Sequence, residues 1–170
     1  MKILVAGVGN IFLGDDAFGV EMVQRLRSTP LPPEVTLADF GIRSFDLAYA
    51  IADGYDVIIL LDAISRGQSP GTVSLVEPEV QGFGNAGQPL DAHSANPQRA
   101  LQMASSLGGH LGSLYLIGCE PAVLETEDGR IGLSEQVEAA IPNAIQMLLT
   151  LLEELLSAKQ NPEFASVERG

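Results

Sequence analysis

Three side chains in this sequence could together bind a divalent metal ion: Asp16, Asp62 and His93. Each also has a simpler explanation. Acidic residues suit the first turn of a helix, an aspartate often caps the turn after a strand, and a lone histidine is more often a packing or surface residue. Two carboxylates and one imidazole, however, form a donor set that suits a borderline divalent ion with open coordination positions. We therefore expect a metal-binding site where the fold brings these residues together.

The pattern of apolar residues predicts the elements that position them. Short apolar runs rich in β-branched residues alternate with helical patterns, which is typical of an α/β fold. Five strands are predicted, over Lys2–Ala6, Val35–Asp39, Val57–Asp62, Thr72–Val76 and Leu114–Gly118. Four helices are predicted, one starting near Asp15, one over Phe45–Ala52, one after Pro97 and one after Ser134, which Pro142 could kink. The sequence therefore predicts a three-layer α/β/α sandwich with a five-stranded, mostly parallel sheet.

The connection between the third and fourth predicted strands is too short for a crossover helix. It contains Gly67, Pro70 and Gly71, so we expect the fourth strand to run antiparallel at an edge of the sheet. The helical periodicity fades near the C-terminus. We expect a single domain over residues 1–157 and a frayed tail over residues 158–170.

In sheets of this kind, ligands bind beyond the carboxyl ends of the strands. Asp62 ends the third predicted strand, and Asp16 follows the first. His93 comes after a glycine-rich stretch, residues 78–92, which is expected to be a mobile loop that could fold over the same edge. Asp39 ends the second predicted strand, and its position makes it a further candidate, with a catalytic role.

The glycines after the first strand do not form a nucleotide-binding fingerprint. Gly7 and Gly9 permit a tight turn, but Phe12 stands where a dinucleotide fingerprint needs a third glycine or alanine. Asp15 and Asp16 would repel a pyrophosphate. We therefore expect the turn to serve a cation, with no tightly bound organic cofactor and with Asp15 as the residue that enters the first helix.

The composition disfavours several classes of partner. The chain has 22 acidic and 9 basic residues and a net charge of −13, which repels the phosphates of nucleic acids and anionic membrane surfaces. Its single cysteine cannot form an internal disulfide, and its first apolar run ends too early for a signal peptide. No stretch approaches the ~20 apolar residues that span a bilayer. We expect a soluble, cytoplasmic protein.

The sequence offers little support for a cysteine or serine nucleophile. Cys119 lies beside Glu120, whose charge should raise the pKa of the thiol and disfavour the thiolate. The letters of a Gly-x-Ser-x-Gly motif occur at Gly67–Gly71, but they lie in the short connection before the fourth predicted strand, without the following helix that a catalytic serine elbow needs. We expect Cys119 to be a small packing residue and His110 to be a surface residue.

The order of these motifs resembles that of the nickel–iron hydrogenase maturation endopeptidases. The family opens with a strand, Gly-x-Gly-Asn, an apolar pair and an acidic pair, and this chain has that pattern over Ile3–Val20. The similarity extends to about Leu156 in the family's order, through Asp39-Phe40-Gly41, Asp62-Ala63, Asp91-Ala92-His93, Ile117–Pro121 and Gly132-Leu133-Ser134.

The resemblance implies an endopeptidase that removes a short C-terminal extension from the precursor of a hydrogenase large subunit after nickel insertion. The family's metal contacts carry over onto Asp16, Asp62 and His93, with the nickel supplied by the substrate. The implied fold is a five-stranded mixed sheet between helices. Two features depart from the commoner family pattern: many members have Glu at position 16, and a proline usually stands where this chain has Ala92. For the attack on the peptide bond, a nickel-activated water is preferred, and direct participation by Asp39 is the alternative.

Two other functions could use the same carboxylates. A phosphoacceptor receiver domain, a signalling module, also combines an acidic pair after its first strand with an aspartate at the end of the third. Its acidic pair adjoins the strand directly, and it needs a lysine at the end of the last strand, where this chain has Gly118-Cys119-Glu120. A non-catalytic nickel chaperone could use the same three ligands, and it would bind the precursor without processing it.

Overall fold

The computed structural model describes residues 1–78, 97–108, 111–124 and 129–160 of the chain. The strands are β1 (Ile3–Val8), β2 (Val35–Gly41), β3 (Val57–Ala63), β4 (Val73–Val76) and β5 (Ser113–Cys119). The helices are α1 (Phe18–Leu26), α2 (Ser44–Ala52), α3 (Pro97–Ser106) and α4 (Glu135–Gln160), and a 3₁₀ turn over Gly14–Ala17 leads into α1. All the strands and helices predicted from the sequence are confirmed.

The strands form one sheet in the order β2-β1-β3-β5-β4. β1 pairs in parallel with β2 and β3, and β3 pairs in parallel with β5. β4 pairs antiparallel with β5 at one edge of the sheet, which confirms the prediction from the short connection before it. The four parallel strands therefore all end on the same side of the sheet, at Val8, Gly41, Ala63 and Cys119, and we call this side the carboxyl edge.

Alternate residues of the strands face two apolar cores. Ile3 and Val5 pack against α1 and α4, whereas Leu4 and Ala6 pack against α2 and α3. The strand β3 is buried on both faces from Val57 to Asp62, as expected for a central parallel strand covered by helices. This packing confirms the three-layer arrangement, with the sheet between two pairs of helices.

The helix α4 has the length and apolar composition of a membrane-spanning helix. Its apolar residues recur at helical spacing on one face and are buried in the core with α1, among them Val137, Ile141 and Leu148. Glu153 and Glu154 are exposed on its other side. The apolar composition is thus accounted for by packing against the sheet, and the helix continues through Pro142 without a break.

Some predicted boundaries need correction, and some predictions fall outside the described residues. The helix α4 runs on to Gln160, so the frayed tail does not begin at residue 158. Ala, Lys and Gln, which occupy positions 158–160, are strong helix formers, so their propensity favours continuation of the helix. Residues 161–170, most of the 78–92 stretch, His93 and His110 lie outside the described part of the chain.

Candidate active site

Two glycines let the N-terminus of α1 lie directly against the sheet. A Cβ atom on Gly19 would overlap the carbonyl oxygens of Leu61 and Val8, and a Cβ atom on Gly7 would overlap the carbonyl oxygen of Gly19. Only glycine therefore allows α1 to approach the ends of β1 and β3 this closely. The approach brings the 3₁₀ turn, which carries Asp16, next to the end of β3, which carries Asp62.

The loop after β1 folds back over the 3₁₀ turn. Gly9 has φ +133°, in a region that L side chains rarely adopt, and a Cβ atom there would overlap the carbonyl oxygen of Asp16. The next amide, that of Asn10, donates a hydrogen bond of 2.7 Å to Oδ2 of Asp16. The Gly-x-Gly-Asn motif thus holds the carboxylate of Asp16 with a backbone N–H, and its role in cation binding stays a prediction.

Asp16 and Asp62 form a buried carboxylate pair at the carboxyl edge. Their exposed fractions are 7% and 8%. Burial raises the pKa of Asp16, and the hydrogen bond from the Asn10 amide opposes part of that rise. Burial raises the pKa of Asp62 well above its usual value, the negative charge of Asp16 raises it further, and a hydrogen bond from the Ala63 amide opposes this. The structure therefore brings together two of the three predicted metal ligands.

The two carboxylates do not form a complete metal site with the residues that the structure describes. No group of three or more His, Cys, Asp or Glu side chains suited to a metal ion occurs in that part of the chain. His93, the predicted third ligand, lies outside it. The pair itself is electrostatically suited to a cation, because a positive charge would favour the ionised form of both carboxylates against burial and mutual repulsion.

Asp39 lies at the same edge but faces the other side of the sheet from Asp62. In the register of the sheet, Asp39 is paired with Gly7 of β1, and Gly7 is paired with Leu61 of β3. Leu61 faces α1 and α4, so Asp62, the next residue, faces the opposite side. Asp39 shares the side of Leu61, and its Oδ2 accepts a hydrogen bond of 3.4 Å from Gln24 of α1.

A cleft of about 340 Å³ opens beside the loop after β1. Asp39 and Arg43 line it together with apolar side chains, and Asn10, which binds Asp16, lines it as well. The guanidinium group of Arg43 donates hydrogen bonds to the carbonyl oxygens of Asp39 and Phe40 at the end of β2. The apolar residues at its rim are Ile11, Phe12 and Ile42, which are 46%, 59% and 62% exposed. An exposed apolar surface therefore adjoins Asn10, whose amide binds the Asp16 carboxylate.

Asp15 has a different role from the one that the sequence suggested. It is fully buried, and its carboxylate accepts hydrogen bonds from the amides of Ala122 and Val123 and from the amide and hydroxyl of Ser134. These partners lie more than a hundred residues away in sequence, so no local pattern identifies them. Ser134 directly precedes α4, and its Oγ accepts a hydrogen bond of 3.4 Å from the Val137 amide, as an N-cap residue does.

Cys119 ends β5 at the carboxyl edge, and Glu120 follows it directly. The carboxylate of Glu120 accepts a hydrogen bond of 2.7 Å from the Arg66 amide, and this bond, with those from the amides of Gly67 and Gln68, lowers its pKa. Cys119 is buried, and burial together with the charges of Asp15 and Glu120 raises the pKa of its thiol to about 11. The thiol is therefore protonated at neutral pH, in agreement with its interpretation as a packing residue.

Comparisons with known proteins point to one family. The sequence model of the HycI family, hydrogenase maturation protease, matches residues 20–151. The hydrogenase expression/formation protein HupD of Rhizobium leguminosarum is 34% identical over 169 residues, which are 98% of this chain and 82% of that protein.

Two solved structures share both the fold and much of the sequence. The hydrogenase maturating endopeptidase HybD of Escherichia coli has a TM-score of 0.72 at 34% identity, covering 91% of this chain and 93% of that one. The hydrogenase 2 maturation peptidase of a Thaumarchaeota archaeon has a TM-score of 0.68 at 34% identity, covering 90% and 99%. The receiver-domain alternative is therefore wrong, and the chain belongs to the hydrogenase maturation protease family of endopeptidases.

Proposed function

We propose that this endopeptidase recognises nickel already bound in its substrate, the precursor of a nickel–iron hydrogenase large subunit, and then removes the precursor's C-terminal extension. The buried pair of Asp16 and Asp62 is the observation that carries the proposal. Two ionisable carboxylates placed side by side away from water are costly unless they have a task that needs both negative charges. Binding a divalent cation is such a task.

The donor set favours a metal that arrives with the substrate. A tightly held resident ion in a protein usually has four protein ligands or strongly donating thiolates. Here the described part of the chain offers two carboxylates, and its thiol, Cys119, is buried and protonated. Asp16 and Asp62, joined by His93, would fill the open positions of a nickel ion that keeps its ligands from the precursor.

In this arrangement the nickel acts as a Lewis acid that activates the attacking water or the scissile carbonyl. Asp16 and Asp62 hold the ion, and the exposed apolar residues Ile11, Phe12 and Ile42 offer the adjacent surface to the polypeptide. Asp39 faces α1, and no step is assigned to it. We place the reaction in the cytoplasm, a proposal supported by the single, unpaired cysteine.

Nickel recognition would also make processing selective. A precursor without nickel offers nothing for the two carboxylates to ligate, so its scissile bond is not held at the edge of the sheet. The enzyme would then discriminate between loaded and empty precursor through the binding energy of the correct substrate.

The test is to incubate the purified enzyme with nickel-loaded and nickel-free precursor and to follow the product by mass spectrometry. We expect loss of the C-terminal extension from the loaded form alone, and an enzyme that contains far less than one equivalent of any transition metal by elemental analysis. Efficient cleavage of the nickel-free form would contradict nickel recognition. Transfer of nickel without cleavage would favour the chaperone alternative.

A further inference from the structure

The carboxylate of Asp15 ties the 3₁₀ turn to two segments that are distant in sequence. Its Oδ2 accepts hydrogen bonds of 2.8 Å from the amides of both Ala122 and Val123, which follow β5. Its Oδ1 accepts one of 2.6 Å from the amide of Ser134, whose hydroxyl donates a further bond of 2.9 Å to Oδ2. One buried side chain thus joins the turn to the loop after β5 and to the start of α4.

Backbone hydrogen bonds reinforce the same attachment. The amide of Asp15 donates a bond of 2.8 Å to the carbonyl oxygen of Val123, so the two residues are bonded in both directions. The amide of Gly14 donates a bond of 2.7 Å to the carbonyl oxygen of Arg130. The turn is therefore fixed on its inner side by partners in two segments, and it cannot shift without breaking several hydrogen bonds at once.

The residue fixed in this way directly precedes Asp16. In a 3₁₀ turn there are three residues per turn, so successive side chains point about 120° apart. Asp15 points inward to Ser134, whereas Asp16 points to the Asn10 amide and lies close enough for its charge to act on Asp62. We propose that Asp15 is a positioning residue of the cleavage reaction, which sets where the Asp16 carboxylate lies relative to Asp62. This inference rests on the proposed role of the carboxylate pair.

The electrostatics of the pair explain why such a constraint is needed. Asp16 and Asp62 repel each other when both are ionised, and the side chain of Asp16 is held by the Asn10 amide. Repulsion would tend to move the turn away from β3. The four hydrogen bonds to Asp15 oppose that movement, which keeps the Asp16 carboxylate close to Asp62.

A purely structural role for Asp15 predicts a different result from a positioning role. If the network only stabilises the fold, its loss should lower the melting temperature, and the folded fraction should still process the precursor at the normal rate. If the network positions Asp16, kcat should fall in molecules that are folded. KM should change less than kcat, because the exposed apolar surface that also meets the precursor is untouched.

The experiment compares three variants by steady-state processing of nickel-loaded precursor, well below each melting temperature. Asp15→Asn places an amide nitrogen, which is a donor, against backbone donors. We expect kcat to fall on the order of 10²-fold, with a smaller change in KM. Ser134→Ala removes one of the four bonds, and a smaller fall in kcat is expected. Leu148→Ala is the stability control. It removes core contacts in α4 about 21 Å along the helix from Ser134 and should leave kcat unchanged.

The outcomes separate this inference from the proposed function. Kcat values that stay normal for Asp15→Asn while its melting temperature falls, as for Leu148→Ala, would overturn the positioning role. If Asp15→Asn does not fold, Ser134→Ala decides in the same way, because a normal kcat in that variant contradicts the inference. Asp16→Asn tests the underlying assumption, since wild-type processing by that variant would refute the role of the carboxylate pair itself.

Discussion

Two groups of buried carboxylates lie at the carboxyl edge, and they differ in the number of hydrogen-bond donors that the fold provides to each. Asp15 and Glu120, the framework carboxylates, each accept several hydrogen bonds from backbone amides, and these bonds lower the pKa of Glu120. Asp16 and Asp62 are also buried, but burial dominates and raises the pKa of both. Neighbouring aspartates thus have opposite roles, and the surrounding donors decide which one is available for chemistry.

The comparison also separates stability from function. Asp15 joins the turn, the loop after β5 and the start of α4, whereas Glu120 joins the end of β5 to the connection before β4. The lowered pKa of Glu120 means that its ionised form favours folding. Burial raises the pKa of both members of the carboxylate pair, so ionising them costs folding free energy, which is the pattern expected of a functional site. Substitutions in the two regions should therefore change activity and stability in different proportions.

The largest expected effect is the loss of processing in Asp62→Asn. The substitution keeps the shape of the side chain and removes its charge, so processing should fall on the order of 10³-fold or more, with a similar loss in Asp16→Asn and His93→Ala. The melting temperature of Asp62→Asn should stay the same or rise, because a buried repulsion is removed. Mass spectrometry of the product and thermal denaturation test both parts. Asp53→Asn, at an exposed position, is the matched control, and wild-type processing by Asp62→Asn would contradict the comparison.

The next effect concerns the backbone that joins the two regions. Gly9→Ala should lower the free energy of unfolding by more than about 3 kcal/mol and also reduce processing, because the new Cβ atom would overlap the carbonyl oxygen of Asp16. Gly54→Ala is a control with a positive φ of +86° and open space around it, and it should cost about 1 kcal/mol and leave processing unchanged. Urea denaturation of both variants gives the comparison, and equal losses would contradict it.

The pH dependence of stability should have opposite signs in the two regions. The lowered pKa of Glu120 means that its contribution is present above about pH 4.5 and is lost as the pH falls through its folded-state pKa. The raised pKa of Asp62 means that the folded state binds a proton more readily than the unfolded state. Its destabilising effect is therefore full above the folded-state pKa and disappears as the pH falls towards about 3.8.

Unfolding of two variants at several pH values tests these signs. The difference between wild type and Glu120→Gln should be largest near neutral pH and should vanish in acid, with the wild type more stable. The difference between wild type and Asp62→Asn should also vanish in acid, but with the wild type less stable near neutral pH. The same sign for both variants would show that the two regions do not differ as described.

The smallest effect is expected at Cys119, which lies beside both regions. Cys119→Ala should process the precursor at the wild-type rate and lose about 1 kcal/mol of stability, because the thiol serves only in packing. The native thiol should resist iodoacetamide at neutral pH, since it is buried and its pKa is raised to about 11. Alkylation followed by mass spectrometry tests this, and rapid labelling of the folded enzyme would contradict the assignment.

The sequence predicts the fold of this protein well because its signals are local. The apolar run of β3, the helical spacing of Phe18, Met22 and Leu26, and the short connection before β4 each depend on neighbouring residues. Parallel pairing then places the carboxyl ends of β1 and β3 at the same edge of the sheet. This is why the sequence could place Asp16 and Asp62 together at that edge.

The role of Asp15 and the orientation of Asp39 could not be predicted because they depend on contacts between distant segments. Asp15 looks like an ordinary helix-entry residue until the amides after β5 and Ser134 are placed around it. Asp39 looks equivalent to Asp62 until the register of β2 on β1 shows which side it faces. The role of His93 remains a prediction.

The contacts of Arg43 have a consequence for the behaviour of the protein in solution. β2 is an edge strand of seven residues, and such a strand can act as a template on which another chain adds a strand and begins to aggregate. The guanidinium group of Arg43 donates hydrogen bonds to the carbonyl oxygens of Asp39 and Phe40, so it lies against the C-terminal end of this edge strand. A bulky, charged side chain at this position disfavours edge-to-edge pairing with a strand of another chain. It lies beside the exposed apolar surface that must stay accessible to a large protein substrate.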